Sequence, residues 1–351
     1  MNSAPVSVRP AKSKQSQSVD AKRLGQSEML DSNDDRLNRL KIGDTVTAKI
    51  YRYDPSKDSA PRYETHQVPY VKWMRVLDVL NYLAEEKDIE LAHRWFCGVK
   101  KCGTCAVRMN GREVLACWES AEPDMVIEPL RHLPVIRDLV VDRDPYEQKV
   151  LQLKPWLQRN EPYRGFPEYL TDREMKLASY ALDCISCMAC FSACPVIDLG
   201  PTTNFAGPAP LVQMAQTALD PRDGMDRGKI AIEQGDVFSC VSCYKCEEVC
   251  PAEIPIVSAI IEPLKALAYA SNGSGTKHQR AFLDVIKERG RIDPSALVLR
   301  TQGLWAVFPI VRAIKLLLRG KINPVRTFFG SHIRTIQQIR ALFEEMKGSN
   351  K

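Results

Sequence analysis

Alternation of apolar and polar residues predicts two β-strands in the first fifth of the chain. One strand is predicted over 45–53 and the other over 62–70, and the polar segment 54–59 between them is typical of a turn. The two strands would form an antiparallel hairpin with one side facing a core. That side carries Val46, Ala48, Ile50 and Arg52.

The pattern then changes from strand to helix and back. Apolar residues at helical spacing predict a helix over 76–87. An Asn-Gly pair at 110–111 separates two short apolar segments, 106–109 and 113–116, and is a strong signal for a two-residue hairpin. Short strand-like pieces follow over 123–141. Hairpin, helix, cysteine-containing loop and returning hairpin together predict a β-grasp ferredoxin domain.

The second half of the chain has a helical pattern. Residues 142–145 are predicted to form a linker, and helical spacing of apolar positions begins near residue 172. A flexible break is predicted over 271–275 because it combines Ser, Asn and Gly. The clearest predicted helices cover 211–219, 256–270, 282–289 and 295–300, and two closing helices are divided near 320–324.

The composition is that of an ordinary globular protein, with 44% hydrophobic and 26% charged residues. The first thirty residues lack the apolar segment of a secretory signal, so closely spaced cysteines are expected to hold metal rather than form disulfides. No apolar run approaches the length of a membrane span. The best candidate, 304–318, is short and contains Pro309, Arg312 and Lys315.

The net charge of +6 is concentrated at the two ends of the chain. Residues 1–23 carry +4 and residues 311–351 carry +7. The basic C-terminal region would suit an anionic membrane or an acidic partner, and a solvated helical tail is the alternative. No nucleic-acid recognition motif accompanies the charge, so nucleic acid is not a predicted partner.

All 12 cysteines fall into three groups, and the first has the spacing C-x4-C-x2-C-x11-C. Its first three positions match the plant-type loop for a [2Fe–2S] cluster. Gly98 and Gly103 would allow the backbone angles that bring amides close to the sulfurs. A zinc knuckle is the alternative, because C-x2-C alone would suit zinc. The predicted [2Fe–2S] ligands are Cys97, Cys102, Cys105 and Cys117.

The other two groups are copies of the bacterial run C-x2-C-x2-C-x3-C-P. In two-cluster ferredoxins the fourth cysteine of each run binds the other cluster, so the ligands are predicted to cross over. Both clusters are predicted to be [4Fe–4S], with [3Fe–4S] as the alternative for the second. The first cluster is assigned to Cys184, Cys187, Cys190 and Cys250, and the second to Cys240, Cys243, Cys246 and Cys194.

Three clusters in one chain predict an electron wire rather than a site of substrate chemistry. The sequence has no G-x-G-x-x-G fingerprint, and no paired carboxylates or histidine cluster accompany a pocket signal, so no catalytic residue is predicted. His93 lies four residues before Cys97 and is predicted to be structural. The charged residues Lys245, Glu247 and Glu248 predict that one side of the second cluster faces solvent or a partner. A cysteine-rich zinc scaffold that only binds partners is the alternative from another class.

These elements predict an α+β fold in four consecutive parts. The parts are a disordered tail over 1–40, a β-grasp plant-type ferredoxin domain with a [2Fe–2S] cluster over 41–144, an all-helical bacterial-type two-cluster ferredoxin domain with two [4Fe–4S] clusters over 145–275, and a basic helical C-terminal extension over 276–351.

The arrangement resembles the iron–sulfur subunit of succinate dehydrogenase and fumarate reductase. Segment 94–117 is similar to that family in its cysteine loop, Asn-Gly turn and Leu-Ala-Cys ending, and 205–209 resembles the segment between the two runs. The resemblance extends over about residues 45–270. It implies a separate flavoprotein subunit that carries FAD and interconverts succinate and fumarate. This chain would then pass electrons between that flavin and a quinone or thiol-linked partner subunit.

Three positions depart from the respiratory members of that family. Cys243 stands where those members lack the middle cysteine of the second run, and Leu199 and Val241 stand where a tryptophan and a histidine line their quinone pocket. A full second run resembles thiol:fumarate reductase instead. Segment 282–321 resembles the C-terminal part of the small iron–sulfur subunit of heterodisulfide reductase.

The departures bear on the partners that the resemblance implies. The implied partners are a flavoprotein subunit and a membrane-anchor or cysteine-rich subunit, and any contact with quinone is expected to be indirect. An iron–sulfur subunit of the heterodisulfide-reductase type, without succinate chemistry, is the alternative function. The expected location is cytoplasmic, peripheral on the cytoplasmic face of the inner membrane.

Overall fold

The computed structural model describes residues 40–163, 165–271, 276–303, 318–319 and 332–348. The described residues up to 271 belong to one compact unit and those from 276 onward to a second. Nearly all of the predicted disordered tail and of the apolar segment 304–318 lies outside the described residues. None of the helices in the described ranges combines the length and the apolar character that a membrane span requires.

The first unit begins with a five-stranded mixed sheet in the order β2-β1-β5-β3-β4. β1 and β2 pair antiparallel and β1 runs parallel to β5, while the 110–111 turn joins β3 to β4. Both predicted hairpins are confirmed, with β4 starting one residue earlier than expected. The strands are β1 Thr45–Arg52, β2 Arg62–Pro69, β3 Ala106–Met109, β4 Arg112–Leu115 and β5 Asp124–Glu128, and a separate pair is β6 Val135–Arg137 and β7 Val140–Val141.

A helix covers one face of this sheet. Helix α1, Val76–Asn81, continues into a π-helical turn, Tyr82–Glu86, as the apolar spacing over 76–87 predicts. The apolar side of β1 and the buried residues of α1 belong to the same core, where each buried aliphatic side chain contributes about 1.5–3 kcal/mol. The fold is therefore the predicted β-grasp arrangement.

Arg52 lies on the predicted side of β1 with Val46, Ala48 and Ile50, and it is buried although it is charged. Its Nε donates to Asp138 Oδ1 at 3.0 Å and its Nη2 to the carbonyl of Glu90 at 2.7 Å. Asp138 also accepts hydrogen bonds from the backbone amides of Tyr53 and Ala92. The pair is tolerated because its polar atoms are bonded, and it fastens the β6–β7 segment to β1.

The rest of the first unit is helical. Its longest helices are α2 Asp144–Gln152, α3 Asp172–Leu182, α5 Pro208–Ala218, α6 Arg227–Glu233 and α8 Glu262–Ala270, the last preceded by a π-helical segment, Ile256–Ile261. Two four-residue helices, α4 Ala189–Ser192 and α7 Lys245–Glu248, lie inside the cysteine runs, and 3₁₀ turns occupy Ile197–Thr202 and Val237–Ser239. The helices predicted over 211–219 and 256–270 are confirmed.

The predicted linker at 142–145 is wrong at its C-terminal end. Asp144 and Pro145 form the first turn of α2, which buries Tyr146 and Val150. An Asp-Pro pair is a common loop signal, but proline is also favoured in the first turn of a helix, where its missing amide is not needed.

Ser192 connects the sheet to the helical part. Its fully buried hydroxyl donates to Glu113 Oε1 on β4 at 2.8 Å and accepts from the backbone amide of Arg131 at 2.9 Å. Next to it, the ring of Phe191 packs edge-on against His132 and Tyr146, with ring centroids 6.5 and 6.0 Å away. The two domains therefore share a buried polar contact inside an aromatic cluster.

Ser192→Ala is expected to destabilise the first unit by about 1–2 kcal/mol, because the buried Glu113 carboxylate and the Arg131 amide both lose a partner. Thermal unfolding of the anaerobic, cluster-loaded protein should shift down by a few degrees. Ser179→Ala is the control, since Ser179 Oγ bonds only to the Lys176 carbonyl of its own helix. Equal shifts in both variants would contradict the role of Ser192.

The second unit contains three described helices. They are α9 Lys277–Arg289, α10 Pro294–Gln302 and α11 Ile336–Gly348. The side chain of Asp293 caps α10 by accepting from the amides of Ser295 and Ala296, and it also pairs with Arg289 at the end of α9. The helices predicted over 282–289 and 295–300 are confirmed, while the predicted division near 320–324 lies outside the described residues.

Candidate metal centres

The loop over 97–105 wraps its backbone amides around cysteine sulfur. Cys97 Sγ accepts from the amides of Val99, Lys101 and Cys102 at 3.3–3.4 Å, and Cys117 Sγ accepts from the amide of Lys100 at 3.4 Å. Amides directed at thiolates stabilise negative charge there. The geometry is the one expected of a loop that holds a [2Fe–2S] cluster.

The four sulfurs of this loop have unequal surroundings. Cys105 is buried, and burial raises the pKa of its thiol to about 12. Burial alone would also raise the pKa of Cys102, but hydrogen bonds from Thr104 and Cys97 lower it to about 6. Cys97 and Cys102 are half-buried at the outer side of the loop, whereas Cys105 and Cys117 lie against the core.

A first cavity in the helical part is lined by cysteines of both bacterial runs. Three come from the first run, and the fourth is the last cysteine of the second run, as in the crossed assignment. The remaining lining is mostly apolar, from residues of α5 and of the segment after Pro251. The lining cysteines are Cys184, Cys187, Cys190 and Cys250, accompanied by Met188, Ala209, Val212, Ile254 and Ile256.

A second cavity has the reciprocal composition. It takes three cysteines from the second run and the last cysteine of the first run, again with an apolar lining. The lining cysteines are Cys240, Cys243, Cys246 and Cys194, accompanied by Pro195, Val196, Phe205, Pro208, Val257 and Ile261.

The two runs wind in the same way. Ser186 and Ser242, each two residues after the first cysteine of its run, have positive φ angles of 52° and 51°. Met188 and Tyr244, each one residue after the middle cysteine, both have φ of 64° and precede the short helices α4 and α7. Positive φ is uncommon outside glycine, so its recurrence at equivalent positions indicates one shared loop geometry.

The donor sets fit iron–sulfur clusters. Burial raises the pKa of the Cys190 thiol well above its ordinary value, and the neighbouring Cys187 and Cys184 raise it further. Four such thiolates can share an apolar cavity only when cationic iron offsets their charge. Among the described residues, no group of three His, Cys, Asp or Glu side chains is placed to hold a single metal ion.

The second cavity is open on the side of Cys243. Cys243, Lys245 and Glu248 are exposed, as predicted for a side that meets solvent or a partner. The prediction is wrong for Glu247, whose carboxylate accepts from the amides of Val257 and Ser258 at 2.6 and 3.2 Å. Glu247 thus caps the π-helical segment that follows instead of facing outward.

Two polar residues near the cavities have no signal in the sequence. Gln213 on α5 donates from Nε2 to Cys184 Sγ at 3.3 Å, and Lys265 on α8 donates from Nζ to the carbonyl of Cys240 at 2.8 Å. Each lies more than twenty residues from the cysteine that it reaches, so no local motif marks it. His93 bonds to Asn81 Oδ1 at 2.9 Å, and burial lowers its pKa, in agreement with a structural role.

Two family models match the chain in the order that the cysteine groups predict. Residues 47–148 match a 2Fe-2S iron-sulfur cluster binding domain, and residues 180–254 match a 4Fe-4S dicluster domain. The first match contains the loop of Cys97–Cys117, and the second contains both bacterial runs.

Relatives with assigned activities match the same region. The chain is 36% identical over 246 residues to one subunit of the CoM/CoB fumarate reductase of Methanothermobacter marburgensis, an alignment that covers 70% of this chain and 49% of the relative. It is 35% identical to the fumarate reductase iron–sulfur subunit of Mycobacterium tuberculosis and 31% identical to that of Haemophilus influenzae. These alignments cover 62% and 61% of this chain and 90% of each relative. The chain thus spans about half the length of the methanogen relative and nine tenths of the two bacterial ones.

A solved structure has the same fold. The match is to a chain of the Mycobacterium smegmatis Sdh1 complex in the apo form, with a TM-score of 0.60 and 26% sequence identity. It covers 66% of this chain and 98% of the solved chain. The sheet domain and the helical domain therefore occur together in a known subunit of a larger complex.

Proposed function

This chain belongs to the family of iron–sulfur subunits of fumarate reductase and succinate dehydrogenase, and on that premise we propose that it is the electron-transfer subunit of such a complex. It would carry electrons between a flavoprotein subunit, which holds FAD and interconverts succinate and fumarate, and a further partner subunit. The observation that carries the proposal is the set of three cysteine-lined sites within one compact unit.

We assign all 12 cysteines as ligands. Each iron–sulfur centre, when bound, would take up and release one electron at a time. Oxidation of succinate to fumarate releases two electrons and two protons, so the flavoprotein would keep the proton chemistry and hand over electrons singly. The proposed ligand sets are Cys97, Cys102, Cys105 and Cys117 for [2Fe–2S], Cys184, Cys187, Cys190 and Cys250 for the first [4Fe–4S], and Cys240, Cys243, Cys246 and Cys194 for the second.

The [2Fe–2S] loop touches the first bacterial run. A methyl group built at Gly103 would lie 2.6 Å from the carbonyl oxygen of Ile185 and 3.0 Å from Cβ of Cys187, so the two backbones are in direct contact. Electron tunnelling depends steeply on the distance between centres. The contact at Gly103 supports the order [2Fe–2S], first [4Fe–4S], second [4Fe–4S].

Two short segments of backbone connect the two bacterial-type sites. Cys190 in α4 lines the first cavity, and Cys194, which follows α4, lines the second. Cys246 and Cys250 bridge the same cavities through α7, in the opposite direction. The apolar lining limits water at the first site, so a reduced centre there would be stabilised by backbone dipoles rather than by solvent.

Exposed apolar residues lie beside the first and the last of the three proposed centres. Beside the [2Fe–2S] loop, Phe96 is 81% exposed, and Val99 and Trp118 are also exposed. We assign this face to the flavoprotein. Beside the second [4Fe–4S] site, Val241 and Tyr244 are exposed next to Cys243, and we assign that face to a membrane-anchor or cysteine-rich subunit. Contact with quinone would then be indirect, and the complex would lie peripherally on the cytoplasmic face of the inner membrane.

A thiol-linked electron partner within the same function is supported by the methanogen relative, whose name joins fumarate reductase with CoM/CoB. Its similarity, together with Cys243 in the full second run, favours a thiol-linked electron partner over a haem-containing anchor. An iron–sulfur subunit of the heterodisulfide-reductase type, without succinate chemistry, would have the same clusters. Copurification with a flavoprotein that oxidises succinate or reduces fumarate would decide against it.

EPR of the anaerobically purified complex tests the proposed function. We expect an almost silent oxidised sample and, on reduction with dithionite, signals from three centres, together with acid-labile sulfide. A strong stoichiometric three-iron signal in the oxidised sample would contradict the second [4Fe–4S] assignment. A colourless, zinc-containing protein would contradict the electron-transfer function altogether.

A further inference from the structure

Gln213 is a hydrogen-bond donor on the otherwise mostly apolar side of the first [4Fe–4S] site. It lies on α5, and its Nε2 is 3.3 Å from Cys184 Sγ and 3.1 Å from Ser186 Oγ. The cavity residues contributed by the same helix, Ala209 and Val212, are apolar. The amide therefore reaches a sulfur in surroundings of low polarity, where a hydrogen bond has more electrostatic effect than in water.

A second contact fixes the direction of the amide. Ser186 accepts from Gln213 Nε2 through its hydroxyl at 3.1 Å, and its carbonyl accepts from Arg143 Nη2 at 3.5 Å. The amide of Gln213 is thus hydrogen-bonded to both Ser186 and the cysteine sulfur, which keeps it directed at Cys184.

We propose that Gln213 sets the reduction potential of the first [4Fe–4S] centre by donating to Cys184 Sγ. The inference rests on the ligand assignment above. A centre gains negative charge when it accepts an electron, and a donor at a ligand sulfur stabilises that charge, which raises the potential. Gln213 acts through the ligand and is therefore a positioning residue rather than a catalytic one.

The expected consequence concerns electron transfer through the middle of the three centres. The first [4Fe–4S] centre lies between the other two in the proposed order. Without the amide, the electron on this centre would be less stable, and the middle step would become more strongly uphill for electrons arriving from either side. The chain would thus use one side chain of α5 to keep its central site reducible.

Gln213→Leu and Gln213→Met test the proposal in the full chain within its complex. Both remove the donor, and methionine keeps the side-chain length and so guards against a packing defect. In an EPR-monitored redox titration we expect one four-iron centre to be reduced at lower potential. The reduced-to-oxidised ratio at fixed potential should fall about tenfold, which corresponds to about 59 mV for a one-electron couple. The potentials of the other two centres should stay unchanged.

Gln216→Leu is the matched control. Gln216 lies on the same helix and donates from Nε2 to the carbonyl of Ala181 at 3.1 Å, so it contacts the same segment but no sulfur. An unchanged potential in both Gln213 variants, with three centres present, would overturn the inference and leave the proposed function standing. An equal shift in Gln216→Leu would also overturn it, since the effect would then be structural. Absence of any four-iron centre in the unmodified chain would overturn the proposed function itself.

Discussion

Replacing Gly103 with alanine is expected to slow electron transfer between the [2Fe–2S] site and the first [4Fe–4S] site while both remain loaded. The added methyl group would lie 2.6 Å from the Ile185 carbonyl oxygen, closer than real Cβ contacts come, and 3.0 Å from Cβ of Cys187, which is tighter than most of them. Both neighbours belong to the ligand loop, and neither atom can rotate away. The two loops must therefore separate, and tunnelling between their centres weakens with the added distance.

The expected cost in stability follows from two separate effects. Gly103 has φ of +71°, which costs a non-glycine residue about 1–2 kcal/mol. Overpacking against backbone adds about 1–3 kcal/mol. We expect a total of about 2–5 kcal/mol, measurable as a lower unfolding temperature of the loaded protein. Freeze-quench EPR after mixing the complex with an electron donor would follow the centres as they are reduced in turn.

Gly98→Ala separates strain from the contact. Gly98 belongs to the same loop and has φ of +69°, but a methyl group there would meet nothing within 4 Å. This variant should suffer only the backbone strain and should transfer electrons at nearly the normal rate. If the two alanine variants slow transfer equally, the contact at Gly103 is not the route between these two sites.

The sheet domain is predictable from the sequence because its signals are local. The two-residue period of β1 and the Asn-Gly turn each fix a strand and its register without distant information. The pairing of β1 with β5 is different, since it is parallel and joins residues nearly eighty positions apart. It follows only from assembling the elements into a β-grasp domain.

The cysteine sets are predictable for a related reason. Iron–sulfur ligands repeat at short, fixed intervals, so the runs at 184–194 and 240–250 define two sites by their spacing alone. Only the assignment of Cys194 and Cys250 to the site of the other run is non-local. It follows from the ligation pattern of two-cluster ferredoxins. Each of the two cavities is lined by three cysteines of one run and the last cysteine of the other.

The surroundings of the clusters are not predictable from the sequence, because they depend on tertiary contacts. Gln213 and Lys265 reach the cysteine loops from helices that pack across them, and neither residue type at those positions is a motif. Glu247 is a case in which a sequence signal is present but misleading. A charged residue inside a cysteine run suggests an outward-facing side chain, but Glu247 bonds to two backbone amides of the next segment. Charge alone does not reveal exposure when a capping site lies nearby.

Cys243→Ala is expected to convert the second [4Fe–4S] centre to a three-iron form. Cys243 is the exposed member of its set, whereas Cys246 and Cys194 are buried, so the iron it holds is the one most accessible to loss. The oxidised sample should gain a three-iron EPR signal equivalent to one centre per chain. The reduced sample should lose one four-iron signal and keep the [2Fe–2S] signal unchanged.

Cys187→Ala is the matched comparison, because Cys187 occupies the same middle position in the first run. Its thiol is buried in the cavity that residues of α5 and of the segment after Pro251 also line. We expect this variant to damage the first centre, leave the second intact and interrupt transfer from the [2Fe–2S] site. The two variants should therefore remove different four-iron signals. If Cys243→Ala kept a full four-iron spectrum, Cys243 would not be a ligand, and the exposed end of the wire would need a different assignment.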